Sequence, residues 1–169
     1  RQRQMCIRDR LEGDPQAACG SKEIPMNMKV KEVISVIEDF APLSIQESWD
    51  NSGLVIGSPE QEVHGVLLGF DCTADLVDEA VERGADMIVT HHPLIFGGIK
   101  KISPEDPVGL AVLKAAAAGI AVYAAHTTAD KVLGGVSGAM ARRLGLQDIH
   151  VLEEEPGGCL LYTSDAADE

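Results

Sequence analysis

The chain is poor in aromatic residues, in paired cysteines and in positive charge, and each shortage narrows what it can be. One Trp, two Tyr and three Phe among 169 residues, with 45% apolar content, leave Val, Ile, Leu and Ala to build the interior of a soluble α/β protein. Cys6, Cys19, Cys72 and Cys159 form no CxxC pair and no disulfide framework, which fits a reduced, cytoplasmic setting. The formal charge of -13 gives neither nucleic acid nor an anionic membrane the positive face it needs. No apolar run approaches the ~20 residues that span a bilayer, and no signal-peptide pattern opens the chain. The length suits one domain, or one and a fraction, with a real core.

Both ends read as foreign. "RQRQMCIRDR" and "CLLYTSDAADE" carry no periodicity that joins them to their neighbours, and they resemble translated sequencing-adapter read-through. Residues 1–27 are therefore expected to be a non-native leader, 28–155 the folded part and 156–169 a non-native tail. Residues 28–155 alone hold 9 basic and 20 acidic residues, so the acidity belongs to the folded part.

Within it, apolar spacing predicts an amphipathic helix at "KVKEVISVIEDFAPLS", then a turn-rich segment, "IQESWDNSGLVIGSPEQ", with one short apolar patch. A buried strand ("VHGVLLGFDC") leads to a helix with Thr73 as N-cap and Gly84 as stop. The strands "ADMIVTHH" and "IAVYAAHT" flank a helix ending at Gly119. A further helix, "GGVSGAMARRLGL", precedes "DIHVLEE", the start of another strand. Alternation of this kind predicts a largely parallel sheet with right-handed crossovers and helices on its faces. Ligands in such sheets collect beyond the carboxyl ends of the strands, where Asp71, His91, His92, His126 and Asp130 all fall.

Adjacent histidines in a regular strand point to opposite faces. At a strand's end, with Pro93 keeping His92 out of the α region, both rings can turn into one cavity and offer neutral imidazole to a divalent ion. The alternative is a polar strand end, one ring solvated and one hydrogen-bonded. "HTTAD" ends a further strand, with Asp130 four residues after His126. Asp130 either ligates or caps the next helix, and Asp71 either supports the site or caps toward Thr73. His64 reads as an exposed strand start, and Cys72 as a small core residue.

"SWDNSGLVIG" (48–57), "GADMIVTHHPLIF" (84–96) and "AVYAAHTTAD" followed by Gly134–Gly135 keep one family's order and spacing. The chain resembles the Nif-three-like proteins, also called GTP cyclohydrolase 1 type 2 homologues or dinuclear metal-centre proteins, over about residues 28–155. The resemblance implies two divalent metal ions (Zn, Fe, Mn or Mg), with His91, His92 and Asp130 as ligands. His126 would be the catalytic neighbour that orients a ligand or handles protons. Trp49, Asp50 and Asn51 match a motif near the site. The resemblance further implies a metal-dependent hydrolase acting on GTP or a related compound, and a homo-oligomer when full length. A non-catalytic metal-binding assembly or regulatory module is the alternative, and a histidine-rich phosphoesterase a third. Two departures stand out. Thr128 and Ala129 replace the family's Asn and Leu, and its later His-x-x-x-Glu ligands are missing. His150 and Glu154 copy that spacing in another context, so the fragment alone is expected to be inactive.

Overall fold

The computed structural model describes residues 28–162 except 148, 156 and 157, with residues 150–162 described through their backbone alone. The expected leader over 1–27 and the last residues of the expected tail lie outside the described residues. The fold is mixed α/β. Its main sheet has four strands in the order β2 (Gly53–Ile56), β6 (Ala121–Ala124), β5 (Met87–Thr90) and β4 (Val66–Gly69). Strands β4, β5 and β6 run parallel, and β2 pairs antiparallel to β6 with an irregularity between Leu54 and Ile56.

Side-chain alternation along the strands divides the core in two. Ile88 and Val122 face α2 (Ala74–Arg83) and α3 (Pro107–Ala118), packing with Leu76, Val77, Ala80, Ala111 and Ala115. Met87, Ala121 and Tyr123 face the other way, against Val30, Val33, Ile34 and Ile37 of α1 (Val30–Phe40). Central β6 is buried at all four residues, as a strand covered on both faces must be.

Helix ends follow the local chemistry. The Thr73 hydroxyl accepts from the Leu76 amide at 3.2 Å, and Asp106 caps α3 by accepting from the Gly109 amide at 2.8 Å, with Pro107 opening the first turn. α2 and α3 stop at Gly84 and Gly119 in the left-handed region, φ 66° and 67°. β1 (Met28–Lys29) and β3 (Glu62–Val63) form a separate antiparallel pair.

Two stretches differ from the alternation expected of them. The apolar patch inside "IQESWDNSGLVIGSPEQ" forms β2, a strand too short to show a period by itself and held by pairing with β6. "HVLEEE" forms β7 (His150–Glu155), which pairs antiparallel with β8 (Gly158–Tyr162) in a hairpin outside the main sheet. The last two helices, α4 (Thr127–Asp130) and α5 (Val136–Leu144), follow β6. No helix among the described residues is long and apolar enough to cross a membrane.

Candidate metal centre

The register of the sheet gathers the polar residues. Gly69, Thr90 and Ala124 pair side by side at the carboxyl ends of β4, β5 and β6, and antiparallel β2 starts on the same row with Gly53 opposite Ala124. Asp71, His91, His92 and His126 lie one or two residues beyond that row, and Asp50 lies three residues before it. Residues distant in sequence thus meet because the backbone ladder ends where it does. The Thr90 hydroxyl donates to the His92 carbonyl at 2.8 Å, and the His92 amide to the Phe70 carbonyl at 3.0 Å, which shapes the turn carrying both imidazoles.

Each of the three imidazoles is held at Nδ1. His91 Nδ1 lies 3.2 Å from the Ala125 carbonyl, His92 Nδ1 2.7 Å from Asp71 Oδ1 and His126 Nδ1 2.9 Å from Asp50 Oδ1. Carbonyl and carboxylate oxygens only accept, so these partners assign the proton to Nδ1 and leave the Nε2 lone pair available. One nitrogen from each of the three rings lies within 4.8 Å of the others, and this cluster could hold a metal ion. The donor set fits such a group chemically: imidazoles backed by carboxylate or carbonyl acceptors are the usual way proteins fix a ligand's tautomer and raise its basicity. Burial, together with the neighbouring His92 and His126, lowers the pKa of His91 against the opposing pull of Asp130, favouring the neutral ring that binds metal.

Asp130 belongs to α4, with its Oδ1 3.8 Å from His91 Nε2. It does not cap the following helix, whose N-cap is Gly135. Gly135 is required on steric grounds, because a Cβ there would collide with the Ala129 carbonyl oxygen. Asp71 likewise spends its carboxylate on His92, while Thr73 caps α2. His64 is exposed, in the bend between β3 and β4 and not at a strand start as expected, with Nδ1 3.2 Å from Asp86. Cys72 sits in the core, where burial pushes its thiol pKa up to about 11.

The support behind His126 was not legible in the sequence. The Asp50 side chain is fully enclosed. It accepts from the Asn51 amide (2.6 Å), the Ser52 hydroxyl (2.7 Å), His126 Nδ1, and the amide and hydroxyl of Thr127 (3.2 and 2.5 Å). Burial alone would raise the Asp50 pKa. The hydrogen bonds from Thr127, Ser52, His126 and Asn51 outweigh it and hold the carboxyl well below the usual range. Buried Lys131 meets Glu47 at 2.7 Å, tying α4 to the segment before β2. "WDNS" gave no hint of this network, because it depends on the antiparallel entry of β2.

Three exposed aromatics border the cluster. Phe70 stacks on His91 (centroids 5.3 Å apart, 25° between planes) and meets His92 at 4.5 Å. Trp49 and Phe96 lie 6.2 and 6.0 Å from His126 and 6.0 Å from each other. On the other side, a cleft of about 530 Å³ opens beside His92 between α2 and the approach to α3. Among the described residues lining it, Asp71, Asp75 and Glu105 supply charge, Leu94, Val108 and Leu110 supply apolar surface, and there is no Lys or Arg.

The family model described as Duf34/NIF3 (NGG1p interacting factor 3) matches residues 28–167. The chain belongs to this family. A relative from Clostridium acetobutylicum named "GTP cyclohydrolase 1 type 2 homolog" is 40% identical over 127 residues, covering 75% of this chain and 47% of the relative. A Staphylococcus aureus (strain COL) protein of the same name is 38% identical over 128 residues, covering 76% and 35%. The crystal structure of a Bacillus cereus protein related to NIF3 superposes with a TM-score of 0.74 at 38% identity, over 77% of this chain and 36% of that one. The chain therefore spans about half, or less, of the length of these NIF3 relatives.

Proposed function

We propose that this NIF3-family chain carries part of a dinuclear metal centre serving a hydrolase of the GTP cyclohydrolase type 2 kind. The observation that carries the reading is the anchoring of all three imidazoles at Nδ1, each with Nε2 left over and one nitrogen per ring gathered within 4.8 Å. Histidines kept for packing have no need of three separate acceptors aligned in this way. The names of the relatives supply the substrate suggestion, GTP or a related compound.

In this reading His91 and His92 are ligands, and Asp130, facing His91 Nε2 from α4, reaches toward a second cation. His126 is held by an ionised, buried carboxylate, an arrangement that stabilises positive charge at the ring, whether a metal ion or a transferred proton. Its place in the cluster favours metal contact over free proton carriage. A pair of divalent ions supplies Lewis acidity and a nucleophile near neutral pH. The chain's own residues orient the imidazoles and, through Asp71 and Asp50, hold the Nδ1 protons in place. A metal-binding module without turnover is the second reading, because the same three imidazoles can hold an ion without acting on a substrate.

The decisive measurement is the divalent metal content of the purified chain beside a His91→Ala, His92→Ala double variant and a His126→Ala variant. We expect one or two equivalents in the parent, loss in the double variant and reduced content in His126→Ala. Equal metal content in all three would exclude the site. Metal-dependent formate release from GTP by a homologue of full family length then separates the enzyme from the module.

A further inference from the structure

We propose that Trp49 and Phe96 form a two-sided aromatic platform for a planar heteroaromatic ring of the ligand held at the histidine cluster. The two are inclined at 52° to each other, one side stacking on the ligand ring's face and the other meeting its edge. The proposal rests on the reading above only for where the ligand sits. The chain has six Trp, Tyr and Phe residues in all, yet three of them border this one site. Trp49 is 59% and Phe96 54% exposed, so neither is held there by burial in the core. Phe70, also exposed, has a role on the far side, where it lies face to face with His91.

The two loops that bear the platform rings are held in place. The Asn51 side-chain amide donates to the Ile95 carbonyl at 2.6 Å, tying the loop that bears Trp49 to the loop that bears Phe96. Asp50, between Trp49 and Asn51, is fixed by five hydrogen bonds. With centroids 6.0–6.2 Å from His126, the rings stand beside the imidazole cluster, within reach of a ligand engaged there. Aromatic faces bind flat π systems with little loss of side-chain freedom and without regard to base identity.

Charge in the neighbouring cleft disfavours the polyphosphate end of a nucleotide there. The cleft beside His92 is lined by three carboxylates and, among the described residues, by no cation, so a polyphosphate finds nothing to grip and much to repel it. The ring is the part of such a ligand that Trp49 and Phe96 are suited to recognise.

Trp49 is the chain's single tryptophan, so fluorescence excited selectively at tryptophan reports on this position alone. The test titrates metal-free and zinc-loaded chain with guanosine, GTP and inorganic tripolyphosphate, correcting for ligand absorption. We expect saturable quenching by guanosine even without metal, and none by tripolyphosphate in the metal-free chain. Phe96→Ala should weaken the guanosine midpoint roughly tenfold, the effect of losing one base–aromatic stack. By calorimetry, Trp49→Ala should show a similar loss and Trp49→Phe should retain most of the affinity. Both side chains are exposed, so the variants should keep the parent's circular dichroism.

Unchanged guanosine affinity in both alanine variants would overturn the platform, as would quenching by tripolyphosphate equal to that by guanosine. An emission shift that follows protein concentration and ignores guanosine would do the same, by showing that the rings cover a second copy. Failure of formate release from GTP, with stacking intact, would sink the hydrolase reading and leave the platform standing. Formate release with stacking absent would do the reverse.

Discussion

Asp50 is the residue on which the geometry of the site most depends. Replacing it with Ala leaves the donors of Asn51, Ser52, His126 and Thr127 facing an enclosed gap, and buried donors without acceptors are costly. We expect Asp50→Ala to lower unfolding stability by about 3 kcal/mol in denaturant titrations. The sign of its pH dependence follows from the depressed carboxyl. Its folded pKa lies below the ordinary 3.8, so its contribution is complete above that value and is lost as the pH falls toward the folded one. Thermal melts taken at decreasing pH below about 4 should therefore fall more steeply for the parent than for Asp50→Asn. Cys72 carries an opposite shift, its thiol raised to about 11 by burial. Peptide mapping after iodoacetamide treatment should find Cys72 unmodified in the folded chain at neutral pH and alkylated once the chain is denatured. The sequence marked His91, His92, His126 and Asp130 through their spacing. It left Asp71 between two roles and placed Asp50 near the site without choosing between a structural and a substrate-facing role, because a carboxylate's partner across the fold leaves no trace in its neighbours.

At the level of elements, the parallel strands and their helices were legible because each carries a period, a cap and a stop. β2 was not, since four residues cannot establish alternation, and its antiparallel pairing comes from contact with β6. That one strand matters to the site out of proportion to its length: entering the sheet from the opposite direction, it brings Asp50 and Ser52 to the edge where the parallel strands finish. α4 was equally hidden, a single turn held between β6 and the Gly134–Gly135 pair. Gly135→Ala tests it. The added methyl group meets the Ala129 carbonyl, so α4 must shift, at a cost of about 1–3 kcal/mol. Because Asp130 rides on α4, the same variant should bind divalent metal more weakly than the parent, measured by competition with a chromogenic chelator. Equal affinity would separate Asp130 from the metal.

For the whole molecule, a ligand that binds only the folded state adds stability in proportion to its excess over Kd. Zinc at 100 times its Kd should contribute ~2.7 kcal/mol, raising Tm by roughly 10 °C for a domain of this size. The His91→Ala, His92→Ala variant should show no such rise. The acidic character of the folded part was plain from composition, but the way its carboxylates divide between holding imidazoles and lining the cleft was not. The row formed by Gly53, Ala124, Thr90 and Gly69 has one more consequence. A strand that slipped by a single position would carry its ligands about 3.3 Å along and turn their side chains to the other face. No ion could then be shared by the displaced donors. Metal uptake would thus act as a checkpoint on strand alignment during folding, retaining chains whose ladders closed correctly and leaving misaligned ones unloaded and open to proteolysis.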